Sequence, residues 1–486
     1  MNQGISMQFW IRVFTIMMTA LGLASCGGGG GGDSSGGGGS NGGSSIITDA
    51  TKNPTTCSNA TQLSFVRNHI DKDYLFYKGA PSTSAAGYTG TPNNFFYDLT
   101  TRAQPAKDRF SFVITAAEAQ AVFQSGIGTG VGLDTRRDAQ GRLRIALIEP
   151  GSPASVAGLE RGDRITSING ATVGASMTAA QSNALYYSSI GTSLSLEYQR
   201  LPSTATQVAS MKASTFTSDP VPLATTIASN GSTVGYIAFH EHTAPSETKL
   251  ADAFRTLSKA GVSDLVLDLR YNGGGYISIA SQVAYMIAGT STRTADMPAG
   301  YTKIFDRLEF NDKRSAENFN FGFLDYIYLD TARKNEILPS LNLKKVYILT
   351  TGSSCSASEA IINGLRGIDI EVITIGKTTC GKPFGMYQTD NCDNSYFALA
   401  FQGFNAKGFG DFTSGMTPTC SVSDDLDHEL ANPAEGLLAT ALTHRATGLC
   451  PAVVATGFAT SAGTATLSIQ DNVQKRSWGT SILNIR

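Results

Sequence analysis

The chain has 486 residues, 41% of them apolar and 16% charged, with a formal net charge of −2. That balance provides no basic field for nucleic acid, which is excluded as a partner. The length allows two or three domains with sizeable cores.

Residues 1–25 carry one positive charge at Arg12, then an apolar stretch from Val13 to Leu23. They read as a secretory signal, because the apolar run is too short to span a bilayer comfortably. The ending Leu23-Ala24-Ser25-Cys26 resembles the bacterial lipobox, which implies acylation of Cys26 as the mature N-terminus. Gly27 after it resembles the sorting pattern of outer-membrane lipoproteins. Residues 26–54 are dominated by glycine, serine and asparagine, a composition that buries little apolar surface and acts as a flexible tether. The expected location is the bacterial envelope, lipid-anchored at the outer membrane and facing the periplasm or the exterior.

Beyond Cys26 the chain has six cysteines: Cys57, Cys355, Cys380, Cys392, Cys420 and Cys450. An even number in an exported protein predicts disulfides, with fifteen possible full pairings. Cys380 and Cys392 bracket a loop and read as a local pair. No Cys-x-x-Cys or histidine cluster supports a metal site, so neither a metal nor an organic cofactor is expected.

Residues 55–118 form an N-terminal helical region, with helical spacing from Leu63 to Ile70 and again from Ala116 to Phe123. Tyr74, Phe76, Tyr77, Phe95, Phe96 and Tyr97 read as core, and His69 as a helix-surface residue. Residues 119–205 change to short strands and turns, including Gly130-Val131-Gly132-Leu133, Leu143–Ile148, Pro150–Ala154 and Gly162–Gly170. This stretch resembles a PDZ domain. The resemblance implies that backbone N–H groups of Gly130, Val131, Gly132 and Leu133 receive a peptide carboxylate while a strand edge pairs with the peptide.

Residues 206–450 have α/β character: strand Val234–Phe239, helix Glu247–Lys259, strand Asp264–Arg270, helix Ile277–Ile287 and an apolar run Val346–Leu349. Tyr396–Phe401 alternates as a strand. Asn432 and Pro433 read as the cap and first turn of a last helix ending at His444. Residues 451–486 form a tail without a readable role.

Two turns carry chemistry. Asn272-Gly273-Gly274-Gly275 follows the second strand, where successive glycines expose N–H groups. Ser354-Cys355-Ser356-Ala357-Ser358-Glu359 follows the apolar run and presents a hydroxyl at a helix N-terminus, with Gly381-Lys382 behind it. A serine-rich turn that only caps a helix is the structural alternative. With the PDZ-like module before them, these motifs resemble the carboxyl-terminal processing, or tail-specific, proteases over about residues 116–443.

The resemblance implies a multi-domain α/β fold with a protease core of the ClpP and crotonase kind. It also implies a Ser356 nucleophile, a Lys382 general base, and oxyanion donors on the backbone of Gly274, Ala357 and, less directly, Gly275. Such an amine works only when neutral, so Lys382 needs a pocket that lowers its pKa from about 10.4. Three positions depart from the family pattern: Cys355 stands for Ala, Gly273 for Pro, and Met386 for a lysine-orienting glutamine. Gln388 is the nearest substitute for that role, and a disulfide at Cys355 would stiffen the turn.

Competing motifs are weaker. Gly376–Lys382 has P-loop spacing, but Pro383 replaces the hydroxyl that would hold magnesium. His240 and His242 follow a strand and offer a histidine base for Ser356 or a metal ligand. The expected function is a lipid-anchored serine endopeptidase binding protein or peptide substrates through their C-termini. The alternative is a catalytically silent, PDZ-containing peptide-binding lipoprotein on the same scaffold.

Overall fold

The computed structural model describes residues 56–104, 106–298 and 300–451, together with the backbone of Ser481–Ile482. The signal segment, Cys26, the tether and most of the tail lie outside the described residues. Among the described residues, no helix is long and apolar enough to cross a membrane.

The core is a six-stranded sheet in the order Leu223–Ser229, Ser232–Ala238, Asp264–Asp268, Lys345–Thr350, Glu371–Gly376 and Cys420–Ser421. The first pair is an antiparallel hairpin and every later pairing is parallel. Unbroken apolar runs such as Leu265-Val266-Leu267 and Val346–Leu349 suit this sheet because both faces are covered. On one face Tyr236, Val266, Tyr347, Leu349 and Ile375 pack with Leu437, Leu438 and Ala441 of helix Gly436–Thr447. Leu265, Leu267, Val346 and Ile348 alternate onto the other face and are fully buried. Helices Ile277–Ala288 and Ala357–Gly367 pack against each other.

A five-stranded sheet adjoins this core, in the order Phe319–Gly322, Ile304–Phe310, Leu399–Phe404, Phe384–Met386 and Ser481–Ile482. The N-terminal helices Asn59–Asp73 and Pro92–Ala103 pack against strand Asn394–Phe397 through buried Phe65, Phe96 and Tyr396. Strand Phe112–Thr115, absent from the sequence expectation, pairs antiparallel with Asn394–Phe397. The alternating run from Tyr396 to Phe401 is two strands that break at Ala398.

The PDZ-like stretch is an antiparallel sheet in the order Leu133–Arg137, Leu143–Ile148, Arg164–Ile168, Ser193–Gln199 and Thr206–Lys212. Its separate core includes Val131, Leu133, Ile145, Ile165, Leu185 and Leu196.

Three local expectations are corrected. Cys380 pairs with Cys355, not Cys392, which instead bonds Cys57; Cys420 pairs with Cys450. The apparent loop between Cys380 and Cys392 is extended chain containing strands Phe384–Met386 and Thr389–Asn391, which carries the two cysteines into different neighbourhoods. His69 is buried rather than on the surface, with its ring bonded to Asp73 at 3.0 Å. The last helix begins at Gly436 with Glu435 as its cap, because the Glu435 carboxylate accepts the Leu438 N–H at 2.9 Å and also meets Arg270 at 2.7 Å.

Candidate active site

Three adjacent parallel strands end at the site, which is where open α/β sheets place their functional loops. Strand Asp264–Asp268 leads to the glycine turn, Lys345–Thr350 to the serine turn, and Glu371–Gly376 to the lysine turn. The first two turns are stitched together. Ser354 Oγ donates to the Leu269 carbonyl at 2.7 Å, the Cys355 N–H to the Asn272 carbonyl at 3.0 Å, and Ser358 Oγ to the same carbonyl at 3.0 Å.

Ser356 sits at φ 60 and ψ −113, a left-handed conformation that a residue with a Cβ adopts only under strong local constraint. It caps helix Ala357–Gly367, so the Ala357 N–H belongs to the first turn and has no acceptor within the helix. Gly274 has φ 102, and a Cβ there would lie 2.9 Å from both the Cys355 carbonyl oxygen and the Ser356 Cβ. Only glycine allows this approach of the two turns.

Lys382 is 1% exposed, and burial pulls its amine down from 10.5 to about 7, against the opposing charges of Asp108 and Glu359. The ammonium nitrogen lies 5.2 Å from the centre of the Phe110 ring. Ser356 and Lys382 line one cavity with Phe305, Asp306, Phe384 and Phe401. Burial also raises the Asp306 carboxyl well above its usual range.

Glu359 organises both chemical turns. Fully buried, its carboxylate accepts the N–H groups of Ser356 at 2.9 Å, Gly381 at 2.8 Å and Lys382 at 2.8 Å, and the Thr379 hydroxyl at 2.5 Å. Among the described residues, one cluster has metal-ligand character: Cys355, Glu359 and Cys380. Its two sulfurs are bonded to each other, so it offers no thiolate.

The remaining candidates are placed as follows. The Gly274 N–H is donated to Asn272 Oδ1 at 2.9 Å, so its expected oxyanion role requires that bond to open. Gln388 donates to Asp390 at 3.0 Å and Ser395 at 3.2 Å, contacts that hold it to the Thr389–Phe397 hairpin. Met386 is fully buried. His242 is fully buried; its Nδ1 donates to Asn272 Oδ1 at 2.9 Å, and burial holds its pKa down to about 3. His240 lies beside Tyr271. Gly130 ends a strand and Leu133 opens the next, with Val131 buried between them. The Val131 and Gly132 carbonyls accept from Ala154 and Glu149, respectively.

Sequence reasoning missed the segment Asp108-Arg109-Phe110. Asp108 and Phe110 face the lysine, while Arg109 donates to the Cys380 carbonyl at 2.5 Å. Nothing local marks these residues, since they lie more than 200 positions from the turns they join. Glu359 was visible as a capping-box glutamate three residues after Ser356, but that pattern announces only a helix start.

Residues 233–422 match the profile of peptidase family S41, and residues 144–200 match that of the PDZ domain. The chain carries an S41 peptidase core and a PDZ domain. It is 28% identical over 318 residues to the carboxy-terminal processing protease CtpB of Bacillus subtilis, covering 64% of this chain and 57% of that protein. A carboxyl-terminal-processing protease of Picosynechococcus sp. is 29% identical over 163 residues, covering 33% of this chain and 37% of its own length. The chain thus spans little more than half of the first relative and less of the second. A crystal structure ascribed to the S41 proteases, from Bacteroides fragilis, superposes with a TM-score of 0.62 at 24% identity. It covers 79% of this chain and 97% of that one, which supports a shared fold.

Proposed function

We propose that the protein is a serine endopeptidase of the carboxyl-terminal processing type, acting through Ser356 and Lys382. The observation that carries this reading is a fully enclosed lysine whose amine is lowered to about 7 and shares a cavity with a serine held at a helix N-terminus. A neutral amine at Lys382 takes the Ser356 proton as the hydroxyl attacks the substrate carbonyl, and returns it to the leaving amine. The tetrahedral oxyanion forms beside the Ala357 N–H, where the helix start favours negative charge. Water then enters as the second nucleophile and releases the acyl group by the same proton path.

The PDZ domain supplies substrate capture. Strand Leu133–Arg137 stands at the end of its sheet, where a peptide can add as a further strand with its terminal carboxylate on the Gly130–Leu133 loop. The Tyr186 hydroxyl bonds Thr135 Oγ1 of that strand and has to give way to an incoming peptide. Lipidation of Cys26 would hold the molecule to a membrane of the bacterial envelope, with residues 26–54 as its leash. Mass spectrometry of the mature N-terminus tests this: an unmodified cysteine, or a start elsewhere, removes the anchor.

A silent peptide-binding scaffold is the second reading, favoured by the bond that occupies the Gly274 N–H. Casein digestion separates the two. Ser356→Ala and Lys382→Ala are expected to lower kcat at least about a thousandfold with the fold retained. Peptide binding without turnover by the native chain would establish the scaffold instead.

A further inference from the structure

The Cys355–Cys380 disulfide lies within the catalytic turns. Cys355 immediately precedes Ser356, and Cys380 stands two residues before Lys382. One covalent bond therefore links the turn after strand Lys345–Thr350 to the turn after strand Glu371–Gly376. Noncovalent ties run parallel to it: the Cys380 N–H donates to the Ser354 carbonyl at 3.0 Å, and Glu359 receives N–H groups from Ser356, Gly381 and Lys382.

Resting on the Ser356–Lys382 reading, we propose that this disulfide is a positioning device that holds Lys382 against Ser356, and that a dithiol reversibly lowers turnover by cleaving it. The two other disulfides cannot act in this way: Cys57–Cys392 ties the N-terminal helix to a hairpin, and Cys420–Cys450 ties the last strand of the core sheet to the end of the last helix. Cys355 and Cys380 are separated from the reacting side chains by one and two peptide units, so a loosened tether reaches the dyad directly. A displacement of about 1 Å between reacting groups costs roughly a hundredfold in rate.

Cleavage balances as ordinary exchange. A reagent thiolate attacks the sulfur of Cys380, the half-buried partner, and the S–S bond breaks with the electron pair leaving on Cys355. The second reagent thiolate displaces Cys380, giving a cyclic reagent disulfide and two protein thiols. Two electrons pass from reagent to protein. The groups that then govern the amine are Asp108 and Glu359 around Lys382, Asp306 in the same cavity, Arg109 on the Cys380 carbonyl, and the two new thiols. Water admitted by the loosened turn raises the lysine pKa towards its ordinary value.

The test measures casein hydrolysis by the full chain before and after dithiothreitol, with freed thiols alkylated and mapped by mass spectrometry. Reduction at Cys355–Cys380 is expected to lower kcat by about tenfold or more, with KM within about twofold. The acid limb of the kcat/KM profile should move to higher pH, and reoxidation should restore both kcat and the limb. The double variant C355A/C380A should start slow, carry the displaced limb and ignore the reagent, whereas C420A/C450A should stay sensitive. Native kcat and an unmoved acid limb in C355A/C380A would overturn the proposal. So would full activity of a chain whose Cys355 and Cys380 are shown to be reduced, the arm that decides if the double variant fails to fold. A failed dyad registers separately, as activity surviving in S356A.

Discussion

Replacing Lys382 with methionine keeps the volume of the side chain and removes the titrating group. In the native fold the amine is lowered from 10.5 to about 7, which disfavours the buried charged form by about 5 kcal/mol at 1.36 kcal/mol per pH unit. At pH 7 the unfolded lysine is protonated, while about half of the folded molecules carry the neutral amine. Because the folded pKa is depressed, the folded state binds fewer protons. The resulting cost is complete below about pH 7, shrinks as pH rises, and vanishes above about 10.5.

Lys382→Met should therefore be inactive yet more stable, by up to about 4 kcal/mol at pH 7 and by progressively less towards pH 10. Urea unfolding at a series of pH values, with disulfides intact, reads the gain. Under the proposed mechanism the native chain should show a matching acid limb in kcat/KM near pH 7, because burial raises the neutral fraction roughly 1,500-fold over a free lysine. A variant no more stable than the native protein at pH 7, or a gain constant up to pH 10, would refute the buried-amine reasoning.

Asp108→Asn retains an acceptor for the Phe110 and Ser111 N–H groups but removes a charge that favours the ammonium, so the acid limb should move below pH 7. An unmoved limb in the pH–rate profile would show that Asp108 does not act on the amine. Gly274→Ala forces a Cβ to within 2.9 Å of the Cys355 carbonyl oxygen at φ 102, and should cost about a hundredfold or more in kcat with little change in PDZ peptide affinity. Titrating a labelled peptide alongside turnover checks both halves. Burial raises the Asp306 carboxyl, so the fold loses stability as pH rises from the unfolded carboxyl range towards that higher value. Asp306→Asn should therefore increase Tm at pH 7 and leave it nearly unchanged at pH 3, as calorimetry would record.

Much of the core was legible in the chain. Apolar runs such as Val346–Leu349 and Leu265–Leu267, with a 3.6-residue pattern from Leu250 to Leu257, announce an α/β sheet because both strand faces and one helix face must be buried. The glycine and serine turns were equally readable, since a backbone that must expose N–H groups or adopt positive φ restricts composition to small residues. Asn432 misled as a cap because its side chain competes locally with Glu435, whose choice is settled by distant Arg270.

The amino-acid order by itself determined the α/β character, the PDZ texture, and that Ser356 follows an apolar strand while Lys382 lies in a glycine-flanked turn; that the two turns leave adjacent strands came from the fold. Only the tertiary structure decided the disulfide pairing, the burial of Lys382, and its enclosure by Asp108 and Phe110. The reason is range. Propensity and periodicity act over a few residues, whereas desolvation of an amine and the meeting of two sulfurs depend on segments that only the folded chain brings together.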